Sequence, residues 1–134
     1  MNGLVVGCGY LGQHVARLWN EQDVRGFALT RSQDNAERLI RQSIQPIVVE
    51  WYQHDLWPTL PKIDQMLVGV SHAPVDGIPA SETHVLGLRN LFERLLTLPM
   101  QLAYVSTTGV YENRDDGRWV DESSLGRGIL TLTQ

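Results

Sequence analysis

Cysteine is nearly absent: Cys8 is the single one in 134 residues. An internal disulfide and a cysteine metal cluster are thereby excluded. Histidine occurs four times, as His14, His54, His72 and His84, with neither metal-ligand spacing nor an H-E-x-x-H pattern, so no metal site is expected. Lysine occurs once, as Lys62, and the eleven basic residues are scattered against fifteen acidic ones, for a formal charge of -4. That balance argues against nucleic acid as a partner, which calls for a basic stripe or patch. No apolar run approaches the ~20 residues of a membrane span, and the N-terminus carries no basic segment leading into a long apolar one. The chain therefore reads as soluble and cytoplasmic. Linkers rich in Pro, Gly or Ser, internal repeats and low-complexity segments are also missing, so residues 1–134 read as one domain with room for a real core.

What the chain does have is concentrated at its start. Gly7, Gly9 and Gly12 stand in a G-x-G-x-x-G frame directly after the apolar run Leu4-Val5-Val6, and Leu11, Val15, Leu18 and Trp19 follow at helical spacing. In such a strand-turn-helix unit the first glycine permits the tight turn, the second lets backbone approach a pyrophosphate, and the third lets the helix pack closely on the strand. The pyrophosphate then lies on the helix N-terminus, with the motif residues Tyr10 and Leu11 beside it. A glycine triplet alone also marks ordinary turns; strand, spacing, helix and position together point to a dinucleotide.

Apolar runs rich in β-branched residues recur at about 3–7, 25–30, 46–50, 65–71 and 101–106, which predicts five strands. Between them, Ala36, Leu39 and Ile40 mark a second amphipathic helix capped by Ser32 or Asp34. Val85, Leu88, Leu91, Phe92, Leu95 and Leu96 mark a longer one capped by Ser81 and ending before Pro99. The stretch 51–61, with three aromatics and two prolines, reads as a loop with one short turn. Strands alternating with helices predict an α/β protein with a doubly wound parallel sheet, because parallel neighbours need crossovers and both faces must be covered.

The end of the second strand selects the nucleotide. An acidic residue there would bind the 2′-hydroxyl of NAD, whereas this chain has Thr30-Arg31-Ser32. A guanidinium flanked by hydroxyls suits a 2′-phosphate, so NADP is expected over NAD, against the plainer reading of Arg31 as a solvated helix-entry residue. Two alignments remain open for the adenine side, one through Glu50-Trp51 and one through Asp55-Leu56. Ser71 and His72 follow the fourth strand, at the carboxyl edge where ligands of open α/β sheets bind, and are expected beside the cofactor.

After the fifth strand the sequence Gln101-Leu102-Ala103-Tyr104-Val105-Ser106-Thr107-Thr108-Gly109-Val110-Tyr111 ends in a hydroxyl cluster, and Val120-Asp121-Glu122 follows a polar insertion. Together with His84-Val85-Leu86-Gly87-Leu88-Arg89-Asn90-Leu91, this resembles the extended and atypical short-chain dehydrogenases/reductases, the nucleoside-diphosphate-sugar epimerases and dehydratases. His84 and Leu88 depart from that family's N-V-x-G-T-x-N-L helix, and the glycine motif is closest to its atypical members. The resemblance implies an NAD(P)-binding Rossmann fold, with this chain as its N-terminal portion, truncated relative to the family. It assigns Thr107 as the catalytic hydroxyl, with Ser106, Thr108 and Tyr111 on the substrate side. A plainer reading has these hydroxyls satisfying backbone groups at a strand end.

The family also uses a Tyr-x-x-x-Lys pair to move a proton while hydride passes to or from nicotinamide. That pair is absent here, because Lys62 is the only lysine. The expectation is thus an NADP-binding domain with an incomplete catalytic set, whose full-length parent would act on a nucleotide-sugar-like substrate. Two alternatives stand beside it: a non-catalytic cofactor-sensing or interaction module, and the N-terminal domain of a β-hydroxyacid-dehydrogenase-type oxidoreductase, against which the Ser-Thr-Thr-Gly-Val-Tyr element speaks. An apolar sheet edge left uncovered would favour association of copies.

Overall fold

Short apolar runs buried on both faces decide the architecture. In this computed structural model, which describes residues 1–70 and 77–105 together with 117, 119, 121 and 123, the five predicted strands all form. They are β1 (Asn2–Val6), β2 (Arg25–Thr30), β3 (Gln45–Val48), β4 (Gln65–Val68) and β5 (Gln101–Tyr104). They pair in parallel in the order β3-β2-β1-β4-β5, with Leu4 opposite both Phe27 and Met66, and Val6 opposite Leu29 and Val68. Because successive side chains point to opposite faces, Leu4, Val6, Phe27, Leu29, Ile47, Met66 and Val68 build one core, and Val5, Ala28 and Leu67 build the other. The chain is thus a doubly wound α/β sheet.

The helices are α1 (Tyr10–Glu21), α2 (Gln33–Arg41) and α3 (Ala80–Arg94). Trp19 of α1 and Leu39 of α2 close the core around Val5 and Ala28. Leu91 of α3 joins Trp51, Trp57, Leu60 and Ile63 of the β3–β4 connection in the core on the opposite face. The connection holds a single 3-10 turn at His54–Leu56, as its prolines and aromatics predict. Both α1 and α2 end in the same motif: Val24 N–H donates to the Trp19 carbonyl (2.8 Å) and Ile44 N–H to the Leu39 carbonyl (3.0 Å). Asp23 and Ser43, at φ of 58° and 60°, occupy the left-handed position that glycine favours. Val24 and Ile44 are thereby buried at the entry to the next strand.

The helical faces differ from those the sequence predicts. On α1 the buried residues are Gly12, Ala16 and Trp19, while Leu11 and Leu18 are exposed. Close approach of helix to sheet selects small residues, not leucines, for that face. On α2 Ser32, not Asp34, is the cap, its Oγ accepting from Asn35 N–H at 3.2 Å, and Ile40 is exposed. On α3 the residue before the first turn is Pro79 rather than Ser81, and the buried stripe is Thr83, His84, Gly87, Asn90 and Leu91. Of the apolar residues the periodicity marked, Leu91 is buried and Leu88 and Leu95 pack against the same core, whereas Val85, Phe92 and Leu96 are exposed. At the sheet edge Leu102 and Tyr104 of β5 are also exposed. Among the described residues no helix is long and apolar enough to cross a membrane, and no group of His, Cys, Asp or Glu could hold a metal.

Candidate functional site

The strand order reverses between β1 and β4, so the two helical crossovers leaving β1 and β4 run apart and open a crevice at the carboxyl ends of the strands. A cleft of about 330 Å³ lies there, lined by Val6, Gly7, Cys8 and Gly9 after β1, Leu29, Thr30 and Arg31 at β2, Asn35 of α2, Val49, Glu50 and Trp51 after β3, Gly69 and Val70 after β4, and Thr83 of α3.

The three motif glycines occupy three different environments. Gly7 has φ of 84°, and a Cβ there would sit 2.7 Å from the Gly69 carbonyl oxygen, so both conformation and space require glycine. Gly12 lies behind the cleft, where a Cβ would meet Val5 Cγ1 at 2.6 Å; its lack of a side chain lets α1 approach β1. Gly9 has extended backbone, and a Cβ would meet nothing within 4 Å. Gly9 is one of the residues that line the cleft. Gly9 also stands at the N-terminus of α1 without a side chain to cap it, leaving first-turn N–H groups for an anion at the positive end of the helix dipole.

Cys8, between the first two glycines, is buried, and burial pushes its thiol up from 9.0 to about 11. The wall opposite is built at the start of α2. Thr30 Oγ1 accepts from Ser32 N–H (3.3 Å) and from Asn35 Nδ2 (3.0 Å), so the hydroxyl protons of Thr30 and Ser32 remain available for donation. Arg31 is exposed, and none of the ion pairs among the described residues uses it. The arrangement is a small set of donors around one guanidinium, with no acidic side chain at the end of β2.

The residues of the two alignments left open after the third strand lie in different places. Glu50 and Trp51 line the cleft, whereas Asp55 points to solvent and pairs with His54 at 3.1 Å. Trp51 is held by its backbone carbonyl, which accepts from Trp57 Nε1 (3.1 Å) and Asn90 Nδ2 (2.9 Å).

Of the residues expected at the cofactor, Gly7, Gly9, Thr30 and Arg31 are brought together in the cleft, and Ser32 adjoins it as the α2 cap. The side chains of Tyr10 and Leu11 are exposed and do not line it. Ser71, His72, Ser106, Thr107, Thr108 and Tyr111 lie outside the described residues. Asn35, Val49, Val70 and Thr83 were not anticipated. Asn35 had a signal, since it lies three residues beyond a serine cap, in the first turn of α2 beside the end of β2.

No protein-family model matches the chain, and a comparison with curated proteins likewise finds no match. Solved structures do match. A functionally unknown conserved protein from Silicibacter pomeroyi DSS is 24% identical with a TM-score of 0.64, over 93% of this chain and 42% of its own. Yeast methylglyoxal/isovaleraldehyde reductase Gre2, complexed with NADPH, is 18% identical with a TM-score of 0.61, over 84% of this chain and 40% of its own. The chain spans about two fifths of the length of these structures. What the likeness establishes is the fold: a five-stranded, Rossmann-type α/β sheet.

Proposed function

We propose that the chain is the NADP(H)-binding portion of a protein of the short-chain dehydrogenase/reductase type. The observation that carries this reading is the division of labour among the glycines: a turn only glycine can make at Gly7, an open face at Gly9, and close helix packing at Gly12. These are the three demands of a pyrophosphate held on a helix N-terminus. The donor set fits the group as well. The α1 amides after Gly9 would hold the pyrophosphate, Arg31 with the Thr30 and Ser32 hydroxyls and Asn35 the 2′-phosphate, and Glu50 and Trp51 the adenine side. Likeness to a reductase complexed with NADPH supports the same assignment.

When bound, the dinucleotide supplies hydride at its nicotinamide. The chain's own contribution is binding and orientation, through residues after β1, β2 and β3 that line the crevice. In the family resemblance Thr107 positions the oxygen of a nucleotide-sugar-like carbinol or carbonyl. No Tyr-x-x-x-Lys pair occurs in these 134 residues to transfer the accompanying proton. That absence favours binding without turnover for this chain, and gives a cofactor-sensing module as the second reading. NADPH titration followed by an assay of NADPH oxidation with aldehyde and nucleotide-sugar substrates tests both. Saturable binding without turnover is expected; turnover would overturn the incomplete catalytic set, and absence of binding would overturn the whole proposal.

A further inference from the structure

Helix α3 presents an unusual stripe to the interior: His84, Gly87 and Asn90, three residues with little apolar surface, lie at successive helical turns and are all buried. Each meets Trp51. The indole lies so close to Gly87 that a Cβ there would be 2.2 Å from Trp51 Cδ2. The His84 ring stands edge-on to the indole at 5.2 Å and 87°. Asn90 Nδ2 donates to the Trp51 carbonyl at 2.9 Å, in a buried setting where an unpaired donor or acceptor is costly. On its far side the His84 Nδ1 lies 3.4 Å from the hydroxyl of Tyr104, the last residue of β5. The polar stripe is therefore a slot cut for one side chain, and that side chain is a wall of the cleft.

We propose that His84, Gly87 and Asn90 are positioning residues for the adenosine end of the ligand, acting through Trp51. The proposal rests on the reading of the cleft as a dinucleotide site, and adds that affinity is set from α3 as well as from the glycine turn. Geometry gives the reason. In the segment after β3 the Trp51 carbonyl is shared between Trp57 Nε1 and Asn90 Nδ2, so α3 sets the pose of Trp51 together with the segment's own Trp57. An aromatic edge at 84, no side chain at 87 and a donor at 90 fix the indole's direction, its depth and its backbone together. Tyr104, bonded to the same His84, ties this wall to the end of β5.

The test uses the chain labelled with 5-fluorotryptophan and adenosine 2′,5′-bisphosphate as the probe, read by fluorine NMR. The Trp51 signal, assigned as the one missing from Trp51→Phe, is expected to shift saturably while those of Trp19 and Trp119 stay in place. Asn90→Leu and His84→Ala are expected to weaken the probe about tenfold, whereas His84→Phe, which keeps the aromatic edge, stays within about twofold. The ratio of NADP to NAD affinity is expected to be unchanged in all three, which a general loss of structure around Arg31 would not give. A Trp51 signal unmoved at saturation overturns the inference without recourse to any variant. So does unaltered affinity in Asn90→Leu and His84→Ala. Failure of the unaltered chain to bind the probe and NADPH alike overturns the underlying reading of the cleft, and this inference with it.

Discussion

Gly7 and Gly69 meet backbone against backbone at the point where the sheet reverses its strand order: a Cβ on Gly7 would stand 2.7 Å from the Gly69 carbonyl oxygen and 2.8 Å from the Gly69 carbonyl carbon. This contact closes the floor of the crevice and turns the chain after β1 toward α1. Everything else in the site is arranged around it. Thr30 and Arg31 come from one side of β1, and Gly69 and Val70 from the other.

The glycine roles can be separated by substitution. Gly9→Ala is expected to leave the melting temperature within about 2 °C of the unaltered protein, because extended backbone accepts alanine and the added methyl meets open space. Its affinity for NADPH is expected to fall at least about tenfold, since the methyl projects where the pyrophosphate approaches. Gly7→Ala and Gly12→Ala are expected to lower stability by about 2 kcal/mol or more, through strain at one and overpacking at the other. Thermal melts paired with calorimetric titration check all three.

The existence of the five strands and their parallel arrangement were legible in the sequence because strands buried on both faces leave short continuous apolar runs. The glycine motif was legible because its three demands are backbone demands. The buried faces of α1 and α3 were legible only in part, through Trp19 and Leu91. Periodicity of large residues pointed to Leu11 and Leu18, and to Val85 and Phe92, whereas close packing selected Gly12 and Ala16 on one helix and the Trp51 slot on the other. A polar stripe that seats a distant tryptophan has no local signature. The helix ends were equally hidden, because Asp23 and Ser43 stand where glycine would have announced a stop.

Those two helix ends give a stability prediction. Asp23→Gly and Ser43→Gly are each expected to stabilise the fold by about 0.5 kcal/mol, as relief of left-handed strain exceeds the extra chain entropy of glycine. Urea unfolding midpoints check this; a fall in either midpoint would contradict it.

Glu50 and Asp55 are separable by binding. Glu50→Ala is expected to weaken NADPH about three- to tenfold by removing a polar group from the lining of the cleft, where the proposed function puts the adenine. Asp55→Ala, whose side chain is 97% exposed, is expected to leave affinity unchanged. Equal losses in the two variants would contradict the assignment of Glu50-Trp51.

The buried thiol of Cys8 makes stability depend on alkaline pH. Its folded value of about 11 lies above the ordinary thiol value of 9.0, so the folded state favours the protonated thiol. That contribution is fully present below pH 9 and is lost as pH rises toward 11, at a cost of up to about 2–3 kcal/mol. Between pH 9 and 11 the unaltered protein is expected to lose more stability than Cys8→Ala, as read from urea unfolding. Parallel losses would contradict the burial of the thiol. Slow alkylation at pH 7.5 by iodoacetamide is expected for the same reason.

Arg31 carries the central claim, that the cleft is built for a dinucleotide bearing a 2′-phosphate. Calorimetric titration of NADPH and NADH into the unaltered chain and into Arg31→Asp tests it most directly. The unaltered chain is expected to bind NADPH at least about tenfold more tightly than NADH, and Arg31→Asp to lose that preference chiefly through weaker NADPH binding. Equal affinities in the unaltered chain, an equal loss for both cofactors in the variant, or no binding of either would contradict the account.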